Sequence, residues 1–200
     1  TANDWSFETK QIHAGYDLDP ATGATALPIY QTSSYAFKDT AQAASRFALQ
    51  ELGPIYTRLT NPTTDGVGAL LVSSGQSATA LSILALAVAG NNIVASPSLY
   101  GGSVTLLKNT LGRLGIEARF VPNPLDPEAW RALADDKTVA FYGETIPNPQ
   151  GDILDIEPIA TVAHEVGVPL IVDNTVATPY LVRPIEWGAD IVVHSATKYL

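Results

Sequence analysis

Two ionisable residues stand just beyond buried apolar runs. Asp173 closes Pro169-Leu170-Ile171-Val172, and Lys198 follows Asp190-Ile191-Val192-Val193 by a turn that also holds Ser195 and Thr197. A charged side chain in such a place gains nothing from burial unless it has a partner. The lysine can form a Schiff base or be a surface residue that closes the strand. The carboxylate can serve a cation or a protonated ring nitrogen, cap a helix or ligate a metal. Ser74-Gly75-Gln76 precedes an apolar helical stretch, where free N–H groups and the helix dipole favour an anion and glycine permits close approach. The same three residues also suit an ordinary strand-to-helix turn. Tyr100, followed by Gly101-Gly102, offers either an aromatic face or a core side chain. Together these groups make the set that pyridoxal phosphate needs: an amine for its aldehyde, a carboxylate for its pyridine nitrogen, an anion site for its phosphate and a ring to stack on. No Gly-x-Gly-x-x-Gly or Walker loop occurs, which counts against dinucleotides and nucleoside triphosphates. His13, His164 and His194 lie far apart without close carboxylate spacing; they read as structural or surface residues, and no metal site is expected.

Strand ends must position these groups. From Ala69 onward, short apolar runs alternate with helix-length segments. The pattern predicts strands at 69–72, 92–95, 118–121, 138–142, 169–172 and 190–193, and helices at 77–89, 103–114, 127–134 (opened by Asp126) and 156–166. Continuous apolar runs joined by helices predict an α/β fold, a mainly parallel sheet sandwiched by helices. Ligands of such sheets sit outside the carboxyl ends of the strands. The polar groups collect there: Ser73 to Gln76, Ser96 to Gly102, Glu144 to Asn148, Asp173 to Thr175, and His194 to Lys198. Residues 1–65, rich in Thr, Ser, Gly and Pro with one helical stretch near 41–51, read as an extended N-terminal arm, and residues 66–200 as the α/β domain.

With 200 residues, 46% of them hydrophobic and 16% charged, the chain can bury a substantial core. Asp plus Glu number 20 against 11 Lys plus Arg, a net charge of -9 that opposes binding to a phosphate backbone, so nucleic acid is not an expected partner. The absence of cysteine excludes disulfides, thiolate catalysis and Cys-ligated zinc, and points to a reducing, cytoplasmic compartment. The longest apolar stretch is too short to cross a bilayer, and residues 1–10 lack the order of a signal peptide.

Seven runs, in order, resemble the motif series of the Cys/Met-metabolism pyridoxal-phosphate enzymes. They are Tyr56-Thr57-Arg58 with Asn61-Pro62-Thr63, Ser73-Ser74-Gly75, Leu99-Tyr100-Gly101-Gly102, Glu144-Thr145 with Asn148-Pro149, Asp173-Asn174-Thr175 with Ala177-Thr178-Pro179, Gly188-Ala189-Asp190, and Ser195-Ala196-Thr197-Lys198-Tyr199. The resemblance implies the large domain of a fold type I transferase. It makes Lys198 the Schiff-base lysine, Asp173 the partner of the pyridine nitrogen and Tyr100 the stacking ring. Gly75 and Gln76 through their amides, with Ser195 and Thr197, would hold the phosphate. Asn148 would lie near the ring hydroxyl, and Glu144 and Thr175 would line the ring pocket. In this family the Tyr-x-Arg pair serves a neighbouring subunit, so Tyr56 and Arg58 are expected to act in trans within a homotetramer built from dimers. Within the family, the runs Glu144 to Gly151 and Asp173 to Leu181 look most like O-acetylhomoserine sulfhydrylases, which implies gamma-replacement with O-acetylhomoserine and sulfide as substrates. Cystathionine gamma-synthase and the gamma-lyases stand as alternatives, although Gly102 replaces the Cys typical of methionine gamma-lyases. The alternative outside the enzymes is a phosphate-ligand-binding α/β domain that uses the Ser74-Gly75 turn and needs neither Lys198 nor Asp173. Two departures stand out: Asp65 meets Gly66 where the family usually has a helix of roughly ten residues, and the family's C-terminal domain, with its substrate-carboxylate arginine, has no counterpart in these residues.

Overall fold

The computed structural model describes residues 69–200 throughout, with 30–48, 50–56, 21–24 and the single residues Ser6, Thr9 and Asp19. The chain divides into two units, Thr1–Leu71 and Val72–Leu200.

In the first unit Asp39 opens α1 (Thr40–Phe47) by accepting the Gln42 N–H at 2.8 Å, and the helix begins one residue before the stretch predicted near 41–51 and ends four residues sooner. Glu51 Oε1 accepts from the Arg46 guanidinium and the Gln42 amide, which turns the chain back beneath the helix. A lone antiparallel bridge pairs Ser34 with Tyr56, whose ring packs edge-on against Phe47.

The second unit is built on β1 (Asn92–Ala95), β2 (Glu117–Phe120), β3 (Thr138–Glu144), β4 (Leu170–Asp173) and β5 (Ile191–Val193), all parallel, in the order β2-β1-β3-β4-β5. Side chains alternate across a strand, and here both faces are apolar. Val94, Phe141, Leu170 and Val172 pack on one face with Trp130, Ile159 and Ala163. Ile93, Ala95, Ala140, Tyr142 and Ile171 pack on the other with Ile83, Leu107 and Leu111. Helices therefore cover both sides, as the continuous apolar runs require.

The helices of the first face are α4 (Pro127–Leu133) and α5 (Ile156–Glu165). Asp126 caps α4 through the Glu128 N–H at 3.1 Å with Pro127 in the first turn. Beyond α5, Gly167 takes φ +82°, a left-handed conformation that lets the Val168 N–H reach back to the Ala163 carbonyl and ends the helix. The other face carries α2 (Gly75–Leu84) and α3 (Gly101–Thr105), which continues as a π-helical turn, Leu106–Leu111. Two short helices, α6 (Thr178–Leu181) and α7 (Ala196–Tyr199), follow β4 and β5.

The predicted strand at 69–72 does not form. Leu70 and Leu71 are 76% and 83% exposed, and the five-stranded sheet includes no residue of this run. An apolar run becomes a strand only where a neighbour takes its backbone hydrogen bonds and a layer covers its side chains. Among the described residues, this one has neither. The predicted helices at 77–89 and 103–114 each begin two residues earlier, because Gly75 and Gly101 enter the first turns.

Candidate active site

The strand order reverses between β1 and β3, and in open α/β sheets that is where a crevice opens beyond the carboxyl ends. A cavity of about 390 Å³ lies there, within the range of small-ligand sites. From the predicted set it is lined by Gly75, Gln76, Tyr100, Glu144, Asn148, Asp173, Thr175, Ser195 and Lys198. Thr197 sits exposed on α7 and is not among the lining residues. Tyr56 belongs to the first unit, and Arg58, like His13 and the Asp65–Gly66 junction, lies outside the described residues.

The anion end is the start of α2. Ser74 caps it by accepting the Ser77 N–H at 3.1 Å, and the Ala78 N–H returns to the Ser74 carbonyl. Among the described residues, the N–H groups of Gly75 and Gln76 have no acceptor, so the first turn keeps two donors for a ligand. Gly75 is required by space: a Cβ there would stand 2.6 Å from the Ser195 Cβ. The helix start and the Ser195 turn thus form one close-packed cradle.

The cation end is Asp173. Its Oδ1 accepts the N–H of Thr175 at 2.9 Å and the Thr175 hydroxyl, while Oδ2 makes no hydrogen bond among the described residues and is left for a donor in the cavity. Burial raises the Asp173 pKa, against the two Thr175 bonds, which lower it. A cationic N–H placed on Oδ2 would relieve that penalty. Thr175 in turn accepts the Ser195 N–H at 2.8 Å, so hydrogen bonds run from the cradle to the carboxylate. Burial holds the half-buried His194 below its ordinary pKa although the Asp173 charge acts the other way, so its imidazole stays neutral near pH 7. His164 instead bonds Asp190 Oδ2 at 2.9 Å, in the structural role expected of it.

Between the two ends, Tyr100 precedes α3 and its ring lies over Gly102, where an added Cβ would come within 2.4 Å of Tyr100 Cε1. Glu144 stands level with Asp173 on the neighbouring strand, about 4.8 Å away across the sheet. Burial, with a smaller contribution from the Asp173 charge, pushes Glu144 up to about 7, while hydrogen bonds from Tyr100 and Ser103 oppose the shift. Lys198 lies exposed on α7 and lines the cavity.

Thr79, Ser103, Ile146 and Val176 also line the cavity and were missed as site residues. Thr79 was within reach of sequence reasoning, since it follows Gly75 by four residues and shares its helix face. The other three carry no spacing signal.

An amine, an open carboxylate, two free helix-start amides and an aromatic ring around one cavity fit pyridoxal phosphate. This is an α/β domain with a cavity that fits such a cofactor at a switch point of its sheet. The chain belongs to the Cys/Met metabolism PLP-dependent enzyme family, whose model matches residues 8–200. It is 54% identical over 209 residues to the O-acetyl-L-homoserine sulfhydrylase of Corynebacterium glutamicum, covering 99% of this chain and 48% of that protein. The protein of the same description from Leptospira meyeri is 54% identical over 204 residues, covering 96% and 46%. A solved O-acetylhomoserine (thiol)-lyase from Campylobacter jejuni, which carries N'-pyridoxyl-lysine-5'-monophosphate, superposes with a TM-score of 0.86 at 40% identity, over 98% of this chain and 50% of that one. The fold is accordingly the large-domain architecture of fold type I. The chain spans about half the length of these relatives.

Proposed function

We propose that this chain forms the cofactor-binding part of a pyridoxal-phosphate enzyme of methionine biosynthesis that exchanges the acetate of O-acetyl-L-homoserine for sulfide, giving L-homocysteine. The observation that carries the reading is the single cavity lined by Lys198, Asp173 and the open start of α2; the sulfhydrylase relatives supply the choice of substrate.

When bound, pyridoxal phosphate supplies an aldehyde for the substrate amine and a ring that withdraws electrons. The amides of Gly75 and Gln76 would bind the phosphate, with the Ser195 hydroxyl beside them; Thr197, outside the cavity lining, would reach it only from the exposed turn of α7. Asp173 Oδ2 keeps the proton on the ring nitrogen, and Tyr100 covers the ring. Asn148 lies by the ring hydroxyl, and Glu144 and Thr175 line the ring pocket. Lys198 Nζ, once freed, takes the proton from the substrate Cα and then moves one at Cβ, so that acetate leaves Cγ and sulfide adds there. Tyr56 and Arg58 complete the phosphate site of a neighbouring subunit, which implies a homotetramer of dimers with shared sites. A cytoplasmic setting agrees with the absence of cysteine.

Product analysis tests the reaction. With O-acetylhomoserine and sulfide the full-length enzyme should give homocysteine and acetate. Cystathionine formed preferentially from cysteine would make it a cystathionine gamma-synthase, and a keto acid with ammonia would make it a gamma-lyase.

A further inference from the structure

We infer that Glu144 is a positioning residue: from the end of β3 it closes the first turn of α3 and thereby sets the place of the Tyr100 ring. The inference rests on the reading that Tyr100 covers a bound pyridoxal phosphate. Tyr100 is the N-cap of α3, yet no side chain of the helix's own caps that end. Both Glu144 carboxylate oxygens instead accept the Tyr100 N–H, at 2.9 and 3.0 Å, and Oε1 also accepts the Ser103 hydroxyl at 2.9 Å. In a capping box, the glutamate at the third helical position reaches back to the N-cap N–H. Here Ser103 holds the third position, and Glu144 fills the acceptor role from 41 residues away. On the other side, the Gln76 amide donates to the Gly102 carbonyl at 2.9 Å. The turn is therefore held from α2 and from β3 together.

The ring itself needs this support. Tyr100 is 54% exposed and its ring rests on Gly102 of the same first turn, so its direction follows from the backbone of that turn. Glu144, by contrast, is 6% exposed, and its contacts to Tyr100 and Ser103 stabilise the buried carboxylate against its own desolvation.

A double-mutant cycle on cofactor binding separates positioning from a direct role. Pyridoxal phosphate is titrated into the cofactor-free full-length protein, the Kd is read from fluorescence quenching, and ring orientation is read from visible circular dichroism. Tyr100→Ala should weaken the Kd about tenfold, the scale of a lost aromatic stack with its buried area. Glu144→Ala should weaken it several-fold, on the order of a lost charge-assisted hydrogen bond, and reduce the visible dichroism. Glu144→Gln should recover most of both, because its carbonyl oxygen can still accept the Tyr100 N–H. In the Tyr100→Ala background, Glu144→Ala should add less than about twofold. Independent, multiplying losses would overturn the inference, as would an unchanged dichroism in Glu144→Ala. Full-strength binding by Tyr100→Ala would overturn the underlying placement of the ring instead. Should Glu144→Ala fail to fold, Ser103→Ala replaces it in the cycle and should show the same non-additivity with a smaller loss.

Discussion

Raising the pH from about 5 to about 8 should destabilise the cofactor-free protein through Glu144, with an effect large enough to isolate. Burial lifts its carboxyl from the ordinary 4.5 to about 7. A folded-state pKa above the unfolded one means that the folded protein holds the proton longer. The stability this gives is fully present below about 4.5 and is lost as the pH climbs through about 7. The span is worth about 3 kcal/mol at 1.36 kcal/mol per pH unit. Asp173, also raised by burial, acts in the same direction, whereas His194, lowered by burial, acts in the opposite one. A comparison of wild type with Glu144→Gln removes what they share. Urea unfolding of the two cofactor-free proteins at several pH values should show near-equal midpoints at the acid end. By pH 8 the variant should lead by roughly 1 M or more, given slopes of about 1–3 kcal/mol per molar. Midpoints that fall in parallel would refute the claim that Glu144 is buried as a reluctant anion.

Borohydride reduction of the holoenzyme and peptide mapping should place the pyridoxyl group on Lys198; a label on Lys108 or Lys137 would refute the assignment. Gly75→Ala drives a Cβ against Ser195 and should lower stability by about 1–3 kcal/mol. It should also weaken pyridoxal phosphate more than pyridoxal in direct titrations, and equal losses would remove the anion from the start of α2. Arg58→Ala and Lys198→Ala, each inactive, should regain partial activity when mixed under conditions where mass-tagged subunits exchange; exchange without recovery would place Arg58 in its own subunit's site or in none.

Much of the second unit could be read from sequence because its strands are apolar on both faces. Asn92–Ala95 and Leu170–Asp173 fall within one residue of the predicted runs. The run at 69–72 is just as apolar and failed, since pairing is decided by neighbours distant in sequence. The strand order was not predicted for the same reason, although it makes the crevice. The chemical groups at the rim were legible one at a time. What holds them was not, since the Glu144 bonds to Tyr100 and Ser103 bridge 44 and 41 residues and leave no periodic trace. The π-helical turn at Leu106–Leu111 also escaped, because its apolar residues suit an α-helix equally well.

The contacts that run from Gly75 to Ser195, from Ser195 to Thr175 and from Thr175 to Asp173 make the two ends of the cavity parts of one truss. A shift of the anion cradle or of the carboxylate would have to break or strain one of these links, so together they hold the length of the gap between the two ends. A ligand that satisfies both must match that length in its own rigid skeleton. A ring carrying its phosphate one bond too near or too far would have to forgo one end. The site thus works as a gauge as well as a grip, and Thr175, the middle strut, is the residue through which its calibration would be changed.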